Sequence, residues 1–324
     1  MATTTRKTTQ QNLKEQFLRD VEAGLSADDK FLPPKYFYDA TGDMLFRQIM
    51  ALPEYYLTRS EHGILSNYRD DILRHFATDG PFDLIELGAG DGMKTKVLLR
   101  HFIAQKANFR YLPIDISANA LNLLTHSIAL EFPQLPVSPI AADYFEALQA
   151  LQDTGSKKAV LFLGASIGNF TFEEALNFLQ KLHASLTPGD VVLIGFDLKK
   201  NPAEILAAYN DSQGVTRDFN LNLLHRINRE LGGNFEVNNF RHYPLYDPQT
   251  GEAKSFLVSQ RNQSVTIGAP AKTFQFKDGE TIHTEISRKY SLPEIDLLAD
   301  LSGFQTARNF TDPKNRFVNA LWKR

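Results

Sequence analysis

Seven residues, Glu86-Leu87-Gly88-Ala89-Gly90-Asp91-Gly92, follow an apolar run and precede the helical stretch Lys94 to His101. Glycines at this spacing let a backbone turn sharply and approach a ligand closely, while the free amides of a following helix start attract negative groups. The last interval is G-x-G and not the G-x-x-G of a dinucleotide fold, so the turn suits a smaller nucleoside with no pyrophosphate to cradle. Asp115 closes the next apolar run, where a carboxylate can accept both hydroxyls of a ribose. Asp143-Tyr144 closes the third, suited to hydrogen-bond and cover an adenine. Three such features at successive strand ends point to a nucleoside-type cofactor site. The plainer reading keeps Gly88 and Gly90 as turn residues and Asp115 as a helix cap.

Two further sets could handle a substrate. Asn169 lies just past the fourth apolar run, and its amide offers a donor and an acceptor to an α-amino acid backbone, or simply sits in a turn. Glu285 and Ser287 are two residues apart, so on a strand they face one side. A carboxylate and a hydroxyl so placed can pair with the two nitrogens of an imidazole; two polar residues on a wet strand face are the alternative. His283 could share that face and reads as structural. The 8 histidines include no H-x-H or H-E-x-x-H spacing, so no metal centre is expected. The basic pairs Lys199-Lys200 and Arg288-Lys289 read as solvated surface.

These residues need a scaffold, and the apolar pattern supplies one. Short apolar runs at Phe82 to Leu87, Phe109 to Ile114, Val137 to Ala141, Ala159 to Gly164 and Asp190 to Phe196 alternate with helix-length segments. That rhythm predicts βαβ units and a parallel sheet buried on both faces. Upstream, the i, i+4 spacing of Leu13, Phe17, Val21 and Leu25 predicts a helix to Ser26, with a short helix at Leu45 to Ala51. Thr58 with Glu61 forms a capping-box pattern opening a helix to about Phe76. After Asp197 the alternation stops. A helical stretch from Pro202 to Leu231, interrupted near Gly214, precedes strand-like segments at Lys254 to Gln260, Ser264 to Phe276 and Thr281 to Tyr290. A helix at Leu292 to Leu301 and strands at Phe304 to Phe310 and Arg316 to Trp322 complete the chain. A sheet domain interrupted after its fifth strand and resumed at its end accounts for this order.

Composition bounds the rest. With 324 residues, the chain suits one large domain or two. A net charge of -3 gives no general basic field for a nucleic-acid backbone. No run of about 18 apolar residues and no secretory signal is present, and Cys 0 excludes disulfides and thiolate catalysis. A cytoplasmic, monomeric enzyme with no membrane or nucleic-acid partner is the expectation.

Glu-Leu-Gly-x-Gly-x-Gly with an acid at the next strand end resembles the Rossmann-like S-adenosylmethionine methyltransferases. Pro33-Pro34-Lys35-Tyr36-Phe37-Tyr38-Asp39, Leu52-Pro53-Glu54-Tyr55-Tyr56-Leu57-Thr58-Arg59, Gly164-Ala165-Ser166-Ile167-Gly168-Asn169-Phe170 and Thr284-Glu285-Ile286-Ser287 narrow the likeness. Together they resemble the histidine-specific Nα-methyltransferases of ergothioneine biosynthesis, from about Leu25 to the carboxyl terminus. The resemblance implies an α/β fold: a class I methyltransferase sheet (63–196 and 291–324) with a second, α+β substrate domain formed by the N-terminal helices (1–62) and an insert (197–290). It places Gly88, Lys94, Asp115, Asp143 and Tyr144 around S-adenosylmethionine, with Lys94 on the methionine carboxylate. It places Tyr38, Tyr55, Asn169, Tyr209, Glu285 and Ser287 around L-histidine and its partly methylated forms, with Tyr209 on the substrate carboxylate. Family members often carry a bulky apolar residue near the position of Ser255, a departure that bears on pocket tightness. No general base is assigned, because the nucleophile is a neutral amine that positioning alone can bring to the methyl group. Rival readings are a methyltransferase for another amino acid such as tryptophan, and a non-catalytic cofactor-binding module.

Overall fold

The computed structural model describes residues 2–77, 80–144, 146–147 and 156–324, with side chains from residue 11 onward. Along the chain run α1 (Ala2–Ser26), α2 (Ala40–Ala51), α3 (Tyr56–Phe76), β1 (Phe82–Leu87), α4 (Thr95–Ala104), β2 (Phe109–Asp115), α5 (Ala118–Glu131), β3 (Ile140–Ala141) and β4 (Lys157–Phe162). There follow α6 (Phe172–Ala184), β5 (Val191–Asp197), α7 (Pro202–Tyr209), α8 (Val215–Leu231), β6 (Phe240–Asp247), β7 (Glu252–Ser259), β8 (Gln263–Ile267), β9 (Lys272–Phe276), β10 (Thr281–Arg288), α9 (Leu292–Ser302), β11 (Gln305–Thr311) and β12 (Phe317–Lys323). The chain divides into two compact units, Met1–Tyr55 with Asn201–Ile286 and Tyr56–Lys200 with Ser287–Arg324, so the division falls within β10.

The unit starting at Tyr56 holds a seven-stranded sheet in the order β11-β12-β5-β4-β1-β2-β3. β1 to β5 are parallel, β12 runs antiparallel to β5, and β11 antiparallel to β12. This is the expected α/β sheet with its closing hairpin. Every residue of β1 and β5 is buried, because helices cover both faces of a parallel sheet and leave no wet side to polar residues. Ile85, Val160, Phe162, Phe178, Ile194, Phe196 and Trp322 form the centre of its core. The order reverses between β1 and β4, and in such sheets the crevice at the carboxyl ends beside the reversal is where ligands bind. β3 is shorter than the expected Val137 to Ala141: Pro139 offers no amide to the ladder, and Val137 keeps only an isolated bridge to Tyr111.

The unit containing α1, α2, α7 and α8 also holds a three-stranded sheet ordered β10-β7-β6 and a separate hairpin, β8-β9. In β7 buried residues alternate with half-buried ones, which turns Ala253, Ser255, Leu257 and Ser259 inward. Phe17, Val21, Phe37, Phe219, Leu223, Leu257 and Phe276 fill its core. Two expectations change here. The apolar stretch Ser264 to Phe276 is a hairpin and not one strand, turning at Gly268 with φ +85°. β6 was not expected at all; Pro244 in its middle argues against a strand, yet β6 is an edge strand, where a missing amide can face away from the ladder.

The Thr58-Glu61 capping box is not formed either. α3 already begins at Tyr56, and Glu61 is a fully buried carboxylate within it. Among the described residues no helix is long and apolar enough to cross a membrane.

One close approach in the sheet-bearing unit can be tested. A Cβ on Gly168 would lie 2.7 Å from the backbone oxygen of Arg288, an atom that cannot swing aside. Gly168→Ala should lower the melting temperature by roughly 2 to 10 °C, whereas Gly63→Ala on α3, where a Cβ meets nothing within 4 Å, should be neutral or stabilising. Thermal unfolding of the two variants checks this; equal melting temperatures would refute the contact.

Candidate active site

The turn after β1 is built from left-handed glycines: Gly88, Gly90 and Gly92 have φ of +74°, +54° and +66°. Side-chain-bearing residues rarely take these angles, so the motif is a backbone requirement. A Cβ on Gly88 would lie 2.9 Å from the Tyr144 hydroxyl, while one on Gly90 would meet nothing within 4 Å. The turn is thus closed on one side by a tyrosine and open on the other.

Asp115 ends β2 and accepts hydrogen bonds from the amides of Gly90 (2.9 Å) and Ser117 (2.8 Å). A carboxylate has about four acceptor sites, so two amides leave capacity for a pair of hydroxyls. The Asp143 carboxylate is exposed and accepts from the Glu146 amide (2.9 Å). The Tyr144 ring stands edge-on to Phe162 at 5.3 Å, and burial raises its hydroxyl pKa, keeping it a neutral donor. Beneath the turn, the wholly buried Glu86 accepts from the hydroxyls of Thr95 and Tyr111. Burial pushes its pKa up to about 7.

Lys94 is neither a free point charge nor a solvated lysine. Its Nζ is 2.5 Å from Oε2 of Glu61. Glu61 also accepts from the Gly164 amide (2.8 Å) after β4 and from Nδ2 of Asn319 (2.9 Å) on β12. The ammonium is therefore held in place at the mouth of the turn with donors to spare.

Asn169 is exposed and ends a short 3-10 turn, Ser166–Asn169, that follows β4; Ala165 before it is left-handed at φ +59°. Ser287, on β10, is buried and accepts a hydrogen bond from Nζ of Lys289 (2.8 Å). Lys289 is 0% exposed and paired with the equally buried Asp197 at 2.9 Å. Lys200 pairs with Asp197 as well, at 2.5 Å. These two lysines are thus partners in a buried ion cluster and not the solvated surface expected of them.

In the other unit, Tyr38 is 40% exposed and stands edge-on to Phe46 (5.7 Å) and Phe219 (5.9 Å). Tyr55 meets the same Phe46 at 6.4 Å, so two of the expected tyrosines share one aromatic support. Tyr209 is buried at the end of α7. Glu285 is half-buried, with the Ser255 hydroxyl 3.5 Å from its Oε2 and His242 Nε2 3.3 Å from the same hydroxyl. Burial drives the His242 pKa down to about 4, so this chain is neutral up to Glu285 itself. His283 is anchored locally, its Nε2 2.9 Å from the backbone oxygen of Glu285, which agrees with a structural role.

A family model described as "Histidine-specific methyltransferase, SAM-dependent" matches residues 17–324. The chain belongs to this family. It is 37% identical to a "Histidine N-alpha-methyltransferase" of Mycolicibacterium smegmatis, across 95% of this chain and 94% of that one. A protein of the same name from Mycobacterium tuberculosis is 35% identical, across 94% and 93%. "Ergothioneine biosynthesis protein 1" of Schizosaccharomyces pombe is 31% identical over 86% of this chain and 37% of its own.

A family cofactor, S-adenosylmethionine, fits what the glycine turn offers. Gly90 has open space where a side chain would be, Asp115 retains acceptor capacity beside it, and Lys94 supplies a cation held by Glu61. Glu61, Asp197 and Lys289 are the residues that sequence reasoning missed. Glu61 resembled a capping partner and the lysine looked like surface; only their folded neighbours reveal them.

Asp115→Ala should weaken binding of S-adenosylhomocysteine by about 10- to 100-fold in a folded protein, as for loss of charge-assisted hydrogen bonds. Calorimetric titration decides this, and unchanged affinity would remove Asp115 from the site. A second expectation concerns Glu86. A carboxyl whose folded pKa is raised holds its proton more tightly in the native state, so its contribution is complete below about 4.5 and is lost as pH rises to about 7. Between pH 5 and 7 the wild type should therefore lose stability relative to Glu86→Gln. Parallel stability-pH curves from denaturant titrations would contradict the raised pKa.

Proposed function

We propose that this chain is an L-histidine Nα-methyltransferase that converts histidine to its trimethyl betaine, hercynine, in three S-adenosylmethionine-dependent steps, the first stage of ergothioneine biosynthesis. Membership of the family over nearly the whole chain supports histidine methylation. The observation that carries the choice of histidine is the pair Glu285 and Ser287, two residues apart on β10, a carboxylate and a hydroxyl matched to two imidazole nitrogens. An indole offers only one N–H, so tryptophan would leave a buried partner unsatisfied.

When bound, the cofactor supplies a methyl group on a sulfonium. The chain's own task is to bind and orient the amine. Asn169 directs its amide to the amino acid backbone, and the hydroxyls of Tyr38, Tyr55 and Tyr209 hold the amino and carboxylate groups. An α-amine has an ordinary pKa of about 8 that falls near a cation, so its proton can leave to water or a tyrosine hydroxyl without a strong base. Positioning then supplies the acceleration. Methyl groups added to the amine leave the ring contacts unchanged, so the mono- and dimethyl forms remain substrates. The enzyme acts on a small molecule as a cytoplasmic monomer.

Incubation with excess cofactor should yield three methyl groups per histidine by mass spectrometry. Wild type should prefer histidine over phenylalanine by about 10³-fold or more in kcat/KM, because a hydrogen-bonding site rejects an apolar ring strongly. Glu285→Ala should erase most of that preference, and an equal ratio in both proteins would show that Glu285 does not read the ring. Asn169→Ala should reduce turnover far more than it alters S-adenosylhomocysteine binding.

A further inference from the structure

Behind Ser287 lies a sealed ionic cluster that the methyl-transfer chemistry leaves unused. Asp197, the last residue of β5, is 0% exposed, and its carboxylate accepts from the Tyr56 hydroxyl (3.0 and 2.9 Å), from Lys200 Nζ (2.5 Å) and from Lys289 Nζ (2.9 Å). Lys289 Nζ also donates to the Ser287 hydroxyl at 2.8 Å. The backbone holds this arrangement, since the Tyr290 amide donates to the backbone carbonyl oxygen of Asp197 at 2.9 Å. Burying an ammonium is costly unless it is paired and hydrogen-bonded, and a serine in a strand can be held in place without one. The cluster therefore calls for a reason beyond stability.

An ammonium has three protons and no lone pair, so in this contact Ser287 can only accept. The single hydroxyl proton is then left for another partner. We propose that Lys289 is a positioning residue that fixes Ser287 as a hydrogen-bond donor, so that the site takes the substrate ring neutral, with its bare nitrogen toward Ser287 and its N–H toward Glu285. The inference rests on the reading of Glu285 and Ser287 as the ring contacts. The result is selection of one protonation state and one tautomer at Ser287, set by a lysine that never touches the ring.

The probes are pyrrolylalanines, in which one ring nitrogen of histidine is replaced by C–H, leaving an N–H donor and no acceptor. A fixed Ser287 donor facing C–H is left unpaired, so wild type should favour histidine over the better of the two by about 10- to 100-fold in kcat/KM, mostly through KM. In Lys289→Met the hydroxyl is free to turn its proton toward the carboxylate that the lysine vacates. The preference should then fall to within about threefold of unity, with S-adenosylhomocysteine affinity unchanged, while Lys289→Arg, which keeps a donor-only cation, should retain it. A purely structural lysine would lower both substrates in parallel, and an unchanged ratio in a folded Lys289→Met protein overturns the proposal. So does a wild type that accepts pyrrolylalanine as well as histidine, a result that needs no variant to fold. Wild type that fails to methylate histidine would instead refute the functional reading beneath it.

Discussion

Glu61 is a carboxylate with almost no exposure to water, and three separated stretches of the sheet-bearing unit converge on it. Lys94 comes from the turn before α4, the Gly164 amide from the end of β4, and Asn319 from β12. A buried charge is tolerated only when its lone pairs are filled, so the helix, the glycine turn and the closing hairpin are obliged to keep their relative positions. The surroundings are shaped to suit: a Cβ on Gly195 of β5 would strike Glu61 directly. The cation offered at the glycine turn is in this way an outcome of α3, an element outside the nucleoside motif itself.

The same device recurs at Asp197, one strand end away in sequence from the turn that leads to α7. Both carboxylates lie by the carboxyl ends of the parallel strands, and each is paired with lysine, Glu61 with Lys94 and Asp197 with Lys200 and Lys289. Loops at such an edge are free to vary, and pairing their cations with buried anions lends them the rigidity of the strands. Precision at the rim is achieved by ions anchored in the core, with comparatively little reliance on the loops themselves.

Much of this was visible in the amino-acid order, for definite reasons. β1, β2, β5 and β12 are apolar runs of strand length bounded by glycine or a polar residue, and that length with those flanks marks a strand buried on both faces, so their limits hold to within a residue or two. The glycine turn and Asp115 were legible because left-handed backbone admits few substitutes and because the acid falls at a strand end. What stayed hidden depended on partners distant along the chain. Thr58 and Glu61 have the spacing of a cap, but the helix starts two residues earlier and the acid is drawn inward by Lys94. Lys289 follows an arginine and looks like surface until Asp197 is placed beside it. Pro244 masks β6 because a sequence does not say which strand will lie at an edge.

The end of β10 and the residue after it compress a great deal of information into five consecutive positions. Alternation along an extended chain sets Glu285, Ser287 and Lys289 apart from Ile286 and Arg288, and Lys289 does reach the Ser287 hydroxyl at 2.8 Å. Side chains can be exchanged along such a stretch one at a time, and on the proposed reading each exchange alters a single contact with the ring. A slip of one residue in pairing is a different matter, since it would present isoleucine and arginine in place of carboxylate, hydroxyl and ammonium. On the proposed reading of β10, substrate choice is open to substitution and closed to insertion or deletion: the vocabulary of the strand can drift, but its frame of reading cannot.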